Sequence, residues 1–240
     1  MNRSDVNEIL LSADRFIRSF GYVLPPFAYW TPDQMKAAPH GEIVRRAMGW
    51  DITDYGQGRF EELGLFLFTV RNGLTADLRT GGGMVYAEKI MISRERQISP
   101  MHRHFLKTED IINRGGGDLV LELFMAGEDG TIDRDAEVSV LVDGSRRRQK
   151  GGEHLRLKPG ESVTLTPTVW HAFWGENGDV LIGEVSTVND DSTDNWFEMD
   201  IPRYTKIAED TDPVHLLVSD YATWLGKAFR VCVRKVSIRI

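Results

Sequence analysis

The chain has 240 residues with 29 Lys and Arg against 36 Asp and Glu, a formal net charge of −7, and 41% of it is hydrophobic. That balance belongs to a chain that buries a core, and the acidic excess excludes a protein that lives on phosphate backbones. No apolar run approaches the roughly 18 residues of a membrane span, and the single Cys232 excludes an intrachain disulfide and a multi-cysteine zinc site.

Residues 1–8 lack the cationic-then-apolar layout of a secretion signal, so a cytoplasmic protein is expected. Ser4 reads as the cap of a first helix with Asp5 and Glu8 in its opening turns. Ile9, Leu10, Ala13, Phe16, Ile17 and Phe20 then recur at helical spacing until Gly21. Two prolines make residues 24–30 an aromatic-rich connector rather than a helix. Thr31-Pro32-Asp33-Gln34 opens a new helix with Pro at its first position. Residues 41–54 read as turn-rich and partly helical.

From about Leu63 the texture becomes β. Strand-like runs at 65–71, 84–92, 119–124, 138–142, 154–157, 162–165 and 180–185 are separated by turn signals such as Asp143-Gly144 and Pro159-Gly160. Many short strands at near-regular spacing predict a barrel or sandwich rather than βαβ units. The basic run Arg146-Arg147-Arg148-Gln149-Lys150 reads as the solvated tip of a hairpin loop. Residues 221–229 read as helix, and 231–240 as an edge strand or an arm following it.

The chemistry gathers around His102-Arg103-His104. On a strand, His102 and His104 project the same way and Arg103 the other. Glu109 follows in the next turn, and His171 lies on another predicted strand. Three imidazoles and one carboxylate suit Mn, Fe, Co, Ni or Zn and leave positions for water or substrate. Lys107 stands three residues after the second imidazole, and Lys89, on the preceding strand, has a stem long enough to reach the same mouth. Gly115-Gly116-Gly117 lacks the surroundings of a phosphate loop and reads as a barrel turn needing positive φ. His40, His154 and His215 belong to no such pattern.

His-x-His, four residues, Glu109, six residues and Gly116, followed downstream by Gly160, Pro167 and His171, resembles the two metal-binding motifs of the cupin superfamily. Two departures stand out: position 96, where the first motif expects glycine, is Arg, and Pro167-Thr168-Val169-Trp170-His171 lacks the second motif's inner glycine. The longer segments 101–117, 24–30, 86–89 and 183–191 are similar to those of the D-lyxose isomerases. That resemblance covers residues from about 5 to about 220 and implies a mainly β cupin barrel (a double-stranded β-helix, or jelly roll) with an N-terminal helical extension.

The resemblance further implies one divalent ion per chain, manganese first, held by His102, His104, Glu109 and His171. The expected activity is interconversion of D-lyxose with D-xylulose, and of D-mannose with D-fructose, by proton transfer through an enediol. It places Lys107 and Glu198 in catalysis, with Glu198 as the base, and Lys89 and Arg203 on the sugar. The expected layout is a helical extension at 1–62, the barrel at 63–220 and a terminal arm at 221–240. A small sugar is the expected partner, with no nucleic acid and no membrane, and the expected assembly is a homodimer. The competing readings of the same ligand set are an Fe(II) dioxygenase and a non-catalytic sugar-binding cupin.

Overall fold

The first helix, α1 (Arg3–Ser19), starts where the backbone N–H of Asn2 donates to Asp5 at 2.9 Å. Ser4, expected as the cap, instead donates its hydroxyl to Asp210 at 2.6 Å, tying the helix start to the far end of the chain. Val6, Ile9, Leu10, Ala13 and Ile17 form its buried face, as the spacing predicts, and Gly21 follows at φ +73°. This computed structural model describes residues 1–226. Of the arm expected at 221–240, the opening turn Tyr221–Trp224 is described and residues 227–240 lie outside the described residues.

A second helix, α2 (Pro32–Ala37), begins at a reciprocal cap. Gln34 N–H donates to the Thr31 hydroxyl at 3.2 Å, and Thr31 N–H donates to the Gln34 side chain at 2.9 Å. After α3 (Gly41–Arg45) comes a correction to the reading of 41–54: Gly49–Thr53 is a strand, β1, paired antiparallel with β2 (Leu65–Asn72). Its one glycine and two polar residues hide the β character. Trp50 and Ile52 face one side and Asp51 and Thr53 the other, and only the pairing with β2 makes the segment a strand. The sheet thus begins inside the stretch expected to be a helical extension.

The remaining strands are β3 (Tyr86–Ser93), β4 (Ser99–His104), β5 (Glu109–Ala126), β6 (Ile132–Asp133), β7 (Glu137–Val142), β8 (Ser145–Lys150), β9 (His154–Leu157), β10 (Ser162–Leu165), β11 (Val169–Thr187) and β12 (Asn195–Phe197). The two long ones, β5 and β11, pair antiparallel along most of their length, with a register break between Glu176 and Val180. The first half of β5 and the second half of β11 belong to a sheet running β1-β2-β3-β11-β5-β10-β7-β8. Their other halves carry β4, β12, β6 and β9. Two sheets sharing two bent strands make the mainly β cupin barrel that the sequence predicts.

At the bend Gly116 adopts φ +95°, and a Cβ there would stand 2.1 Å from the Asp179 carbonyl oxygen. Only glycine fits. At position 96, where glycine is absent, Arg96 itself takes φ +62°. The basic run is also corrected: residues 145–150 form the outermost strand, β8, rather than a loop tip. The turn lies earlier, at Asp143 and Gly144 with φ +48° and +77°. Exposed cations along an edge strand oppose pairing with another chain.

The barrel interior is filled by Leu65, Leu67, Ile111, Leu119, Leu121, Leu123, Leu155, Leu157, Val163 and Ile182. A second layer packs α1 against Trp50, Ile52, Phe66, Phe68, Ile90 and Ile92. Both faces of β2 are covered, which is why Leu65-Phe66-Leu67-Phe68 is unbroken rather than alternating. Among the described residues no helix is long and apolar enough to cross a membrane.

Arg3, fully buried, holds α1 to the end of the fold with two contacts to Asp220 (2.8 and 2.9 Å) and two to Glu209 (2.7 and 2.8 Å). Asp220 is itself buried. Arg3→Ala strands that carboxylate, and urea denaturation should show a loss of roughly 3–5 kcal/mol. Glu209→Gln, at a half-exposed partner, should cost far less.

Candidate active site

The strand pairing brings the predicted ligands together. His102 and His104 leave one face of β4, His171 sits directly opposite His102 on β11, and Glu109 opens β5. One ring nitrogen from each imidazole lies within 4.8 Å of the others. The Nε2 atoms of His104 and His171 stand 3.3 and 3.2 Å from Glu109 Oε1, and their alignment is not that of a hydrogen bond.

On the other side of each ring, Nδ1 meets a backbone carbonyl: Pro100 at 2.8 Å for His102, Asp194 at 3.1 Å for His104 and Val169 at 3.3 Å for His171. A carbonyl only accepts, so Nδ1 carries the hydrogen and Nε2 presents a lone pair. Burial, helped by the neighbouring imidazoles, pushes the His102 pKa well below its usual value and lowers that of His104. Burial opposes ionisation of Glu109, but the Lys107 charge together with the facing imidazoles of His104 and His171 outweighs it and holds that pKa well below the carboxylate range. Three imidazoles, each with Nδ1 engaged by a backbone carbonyl, beside one carboxylate are a donor set that fits a divalent cation.

Lys107, expected near the metal site, is buried with Nζ 2.6 Å from Glu109 and 3.0 Å from Glu184. Burial works against its charge, yet Glu109, Glu184 and Asp191 together raise its pKa. Lys89, also expected, donates to Asn189 at 2.6 Å and stands 3.5 Å from both Glu184 and Asp191. Arg203 completes the row at 3.3 Å from Asp191 and 2.8 Å from Asp51. Burial raises the Asp51 pKa against the pull of Arg203. Lys89, Lys107, Glu109, Glu184, Asp191 and Arg203 border one cavity whose apolar walls include Tyr55, Leu67, Phe173 and Phe197.

Glu198 does not join them. Phe197 points into the cavity, so the next side chain points away. Glu198 pairs with Arg134 at 2.8 Å, with both side chains exposed. Besides Glu109 and Asp191, the cavity is lined by Glu184, 3% exposed, whose Oε1 accepts from Lys107 and from the Ser186 hydroxyl, both at 3.0 Å. The sequence carries a signal for it: Val180 and Ile182 alternate into the barrel core, and the same parity sends Glu184 inward.

Asp194 was also missed. Its carboxylate accepts the backbone N–H groups of Phe105, Leu106 and Lys107 at 2.7–2.9 Å, while its carbonyl takes His104 Nδ1. Nothing in its local sequence marks that role, because its partners lie about 88 positions away.

Residues 1–221 match the model of the D-lyxose isomerase family. The chain belongs to that family. It is 46% identical over 232 residues to the D-lyxose/D-mannose isomerase of Serratia proteamaculans, an alignment covering 94% of this chain and 100% of that one. It is 43% identical over 230 residues to the D-lyxose/D-mannose isomerase of Escherichia coli O157:H7, covering 92% and 98%. The fold is shared with the L-ribose isomerase of Acinetobacter sp. DL28 in complex with L-ribose. That structure matches with a TM-score of 0.58 at 15% identity, over 87% of this chain and 98% of that one. The L-ribose isomerase of Cellulomonas parahominis matches at 0.54 and 18%, with the same coverage. Family membership makes this chain a sugar isomerase, and the cavity just described is its candidate active site.

Glu109→Gln and His171→Ala should each abolish tight binding of manganese(II) in titration calorimetry, since each removes a donor from the set. Asp194→Ala should leave all four donors in place, and the Asp194 carbonyl on His104 Nδ1, yet weaken that binding roughly 10-fold, because it removes the carboxylate that gathers the backbone N–H groups of residues 105–107 behind the site.

Proposed function

We propose that the protein interconverts D-lyxose with D-xylulose, and D-mannose with D-fructose, using one divalent ion, manganese first, held by His102, His104, Glu109 and His171. The observation that carries this reading is Glu184, a buried carboxylate set between two lysines beside the imidazole cluster. That both relatives are D-lyxose/D-mannose isomerases supports the choice of sugars.

Aldose–ketose exchange moves a proton between C2 and C1 and another between the two oxygens, through an enediol on which negative charge develops at O1 and O2. The bound ion would supply positive charge to those oxygens. Glu184 takes the proton from one carbon and returns it to its neighbour. Its Oε1 is held by Lys107 and Ser186, which leaves Oε2, 3.5 Å from Lys89 Nζ, to meet the substrate. Lys107 places a second positive charge beside the reacting oxygens in a site nearly closed to water, where such a charge is worth most. Lys89 and Asn189 fix the orientation of Glu184 and Lys107, and Asn189 is itself anchored by Asn72 through two hydrogen bonds at 2.9 and 3.0 Å. The rings of Tyr55 and Phe197, 5.5 Å apart and set edge to face, offer apolar surface to the carbon face of the sugar. A homodimer working in the cytoplasm completes the reading.

Incubation of manganese-loaded enzyme with D-lyxose in heavy water, followed by proton NMR, should show D-xylulose and deuterium at C2 of the remaining aldose. Glu184→Gln should keep its manganese and lose roughly 10²–10⁴-fold in kcat, whereas Glu198→Gln should leave kcat unchanged. Absence of ketose from both D-lyxose and D-mannose overturns the proposed activity. Full turnover by Glu184→Gln overturns the assigned base.

A further inference from the structure

Two polar atoms where the active-site cavity, lined by Arg203, meets a neighbouring cavity, lined by Asp51, have nothing to bind. Asp51 and Arg203 are joined through Oδ2 and Nη2 at 2.8 Å, yet Asp51 Oδ1 and Arg203 Nη1 are both buried without a hydrogen-bond partner. Buried polar atoms are almost always paired, so adjacent orphans ask for an explanation. The two are complementary: a carboxylate oxygen only accepts and a guanidinium nitrogen only donates. A hydroxyl does both.

The placement agrees with this chemistry. The ionic row leads from Glu109 beside the imidazoles through Lys107, Glu184, Lys89 and Asp191 to Arg203, so Asp51 terminates it at the far end. Asp51 is 3% exposed and borders a neighbouring cavity that shares Leu67 and Asp191 with the active-site cavity. It therefore stands in the wall between the two, where the tail of a sugar chain would arrive when its carbonyl end lies at the imidazoles. The only other orphaned buried side-chain atoms among the described residues are Nε2 of His104 and His171. The unmet polar groups thus lie at the two ends of one row.

We propose that Asp51 Oδ1, with Arg203 Nη1, binds a hydroxyl of the substrate borne on C4 or beyond, and so makes Asp51 a specificity-determining residue. This rests on the sugar-isomerase reading above. A charged acceptor matched to a hydroxyl discriminates strongly against a substrate lacking that hydroxyl, because the buried oxygen is then left unpaired. An apolar wall could not do so.

The test is a cycle of substrate and residue changes, read as Kd by calorimetry on manganese-loaded enzyme and, separately, as kcat/KM. The sugars are D-lyxose and its 4-deoxy and 5-deoxy analogues, and the proteins are the wild type and Asp51→Asn, which keeps size and shape. Asp51→Asn should weaken D-lyxose binding about 10–100-fold. At least one deoxy sugar should bind the wild type more weakly by a similar factor and suffer no further loss in the variant. An equal loss on all three sugars would mean that Asp51 merely holds Arg203, and would overturn the proposal, as would unchanged D-lyxose binding. Should Asp51→Asn fail to fold, the wild type alone decides: equal affinity for D-lyxose and both deoxy analogues overturns the proposal. Sugar that binds but is never isomerised would overturn the activity and leave this assignment standing.

Discussion

The interior of this barrel is organised by an alternating row of charge. Glu109, Lys107, Glu184, Lys89, Asp191, Arg203 and Asp51 succeed one another with separations of 2.6–3.5 Å, and none of their side chains is more than 18% exposed. Taking a single charge out of water costs several kcal/mol, and an unpaired one is scarcely tolerated. Here every interior member has opposite charge on both sides, and pairs about 4 Å apart gain roughly 4 kcal/mol at an effective dielectric near 20. The row also constrains the fold. Lys89 and Glu184 are register partners on β3 and β11, and Glu184 lies beside Ile111 on β5, so slipping any of these strands by one residue would turn a charge toward the apolar outer layer.

That constraint explains how the imidazoles are held. Inside, β4 presents His102 and His104. Outside, Arg103 lies 4.7 Å over Trp196 and 5.2 Å over Phe105, and donates to the carbonyls of Gly130 and Pro167 at 3.1 Å. The loop after β4 is then gathered by Asp194, so His104 and Lys107 are fixed by backbone contacts rather than by each other. Four carboxylates against three cations leave the row formally one negative charge over, with the three imidazoles at one end. A divalent cation placed there compensates charge the fold has already buried. A site built this way is preorganised: its polar groups are aimed before the substrate enters, which is where most electrostatic catalysis comes from.

Residues whose meaning is local were legible in the sequence. The His-x-His pair, Glu109 and the Thr31–Gln34 cap are defined by spacings of a few residues, and alternation alone put the two imidazoles on one face. Legibility failed where a residue's role is set by a distant strand. Asp194 acts on residues about 88 positions away, and β1 is a strand only because β2 lies beside it. Glu198 failed for a sharper reason. It stands one residue past Phe197, and in extended chain one residue is the difference between cavity and solvent, whereas Glu184 lay two positions beyond Ile182 on a face already known to be inward. Arg96 shows the opposite effect: the backbone conformation that the motif expects from glycine is present although the glycine is not.

The layer outside the barrel belongs to the same argument. Strand β1 is short and at the edge of its sheet, and an isolated edge of five residues is weakly specified. What fixes it is its outward face: Trp50 packs 4.6 Å from Phe68 and donates its indole N–H to the Ala28 carbonyl at 2.7 Å, beneath a helix that Arg3 anchors to Asp220. The inward face of the same strand carries Asp51. Alternation along five residues therefore couples a packing layer that touches no substrate to the last carboxylate of the ionic row, and a loosened helix would reach the cavity first as a displaced Asp51.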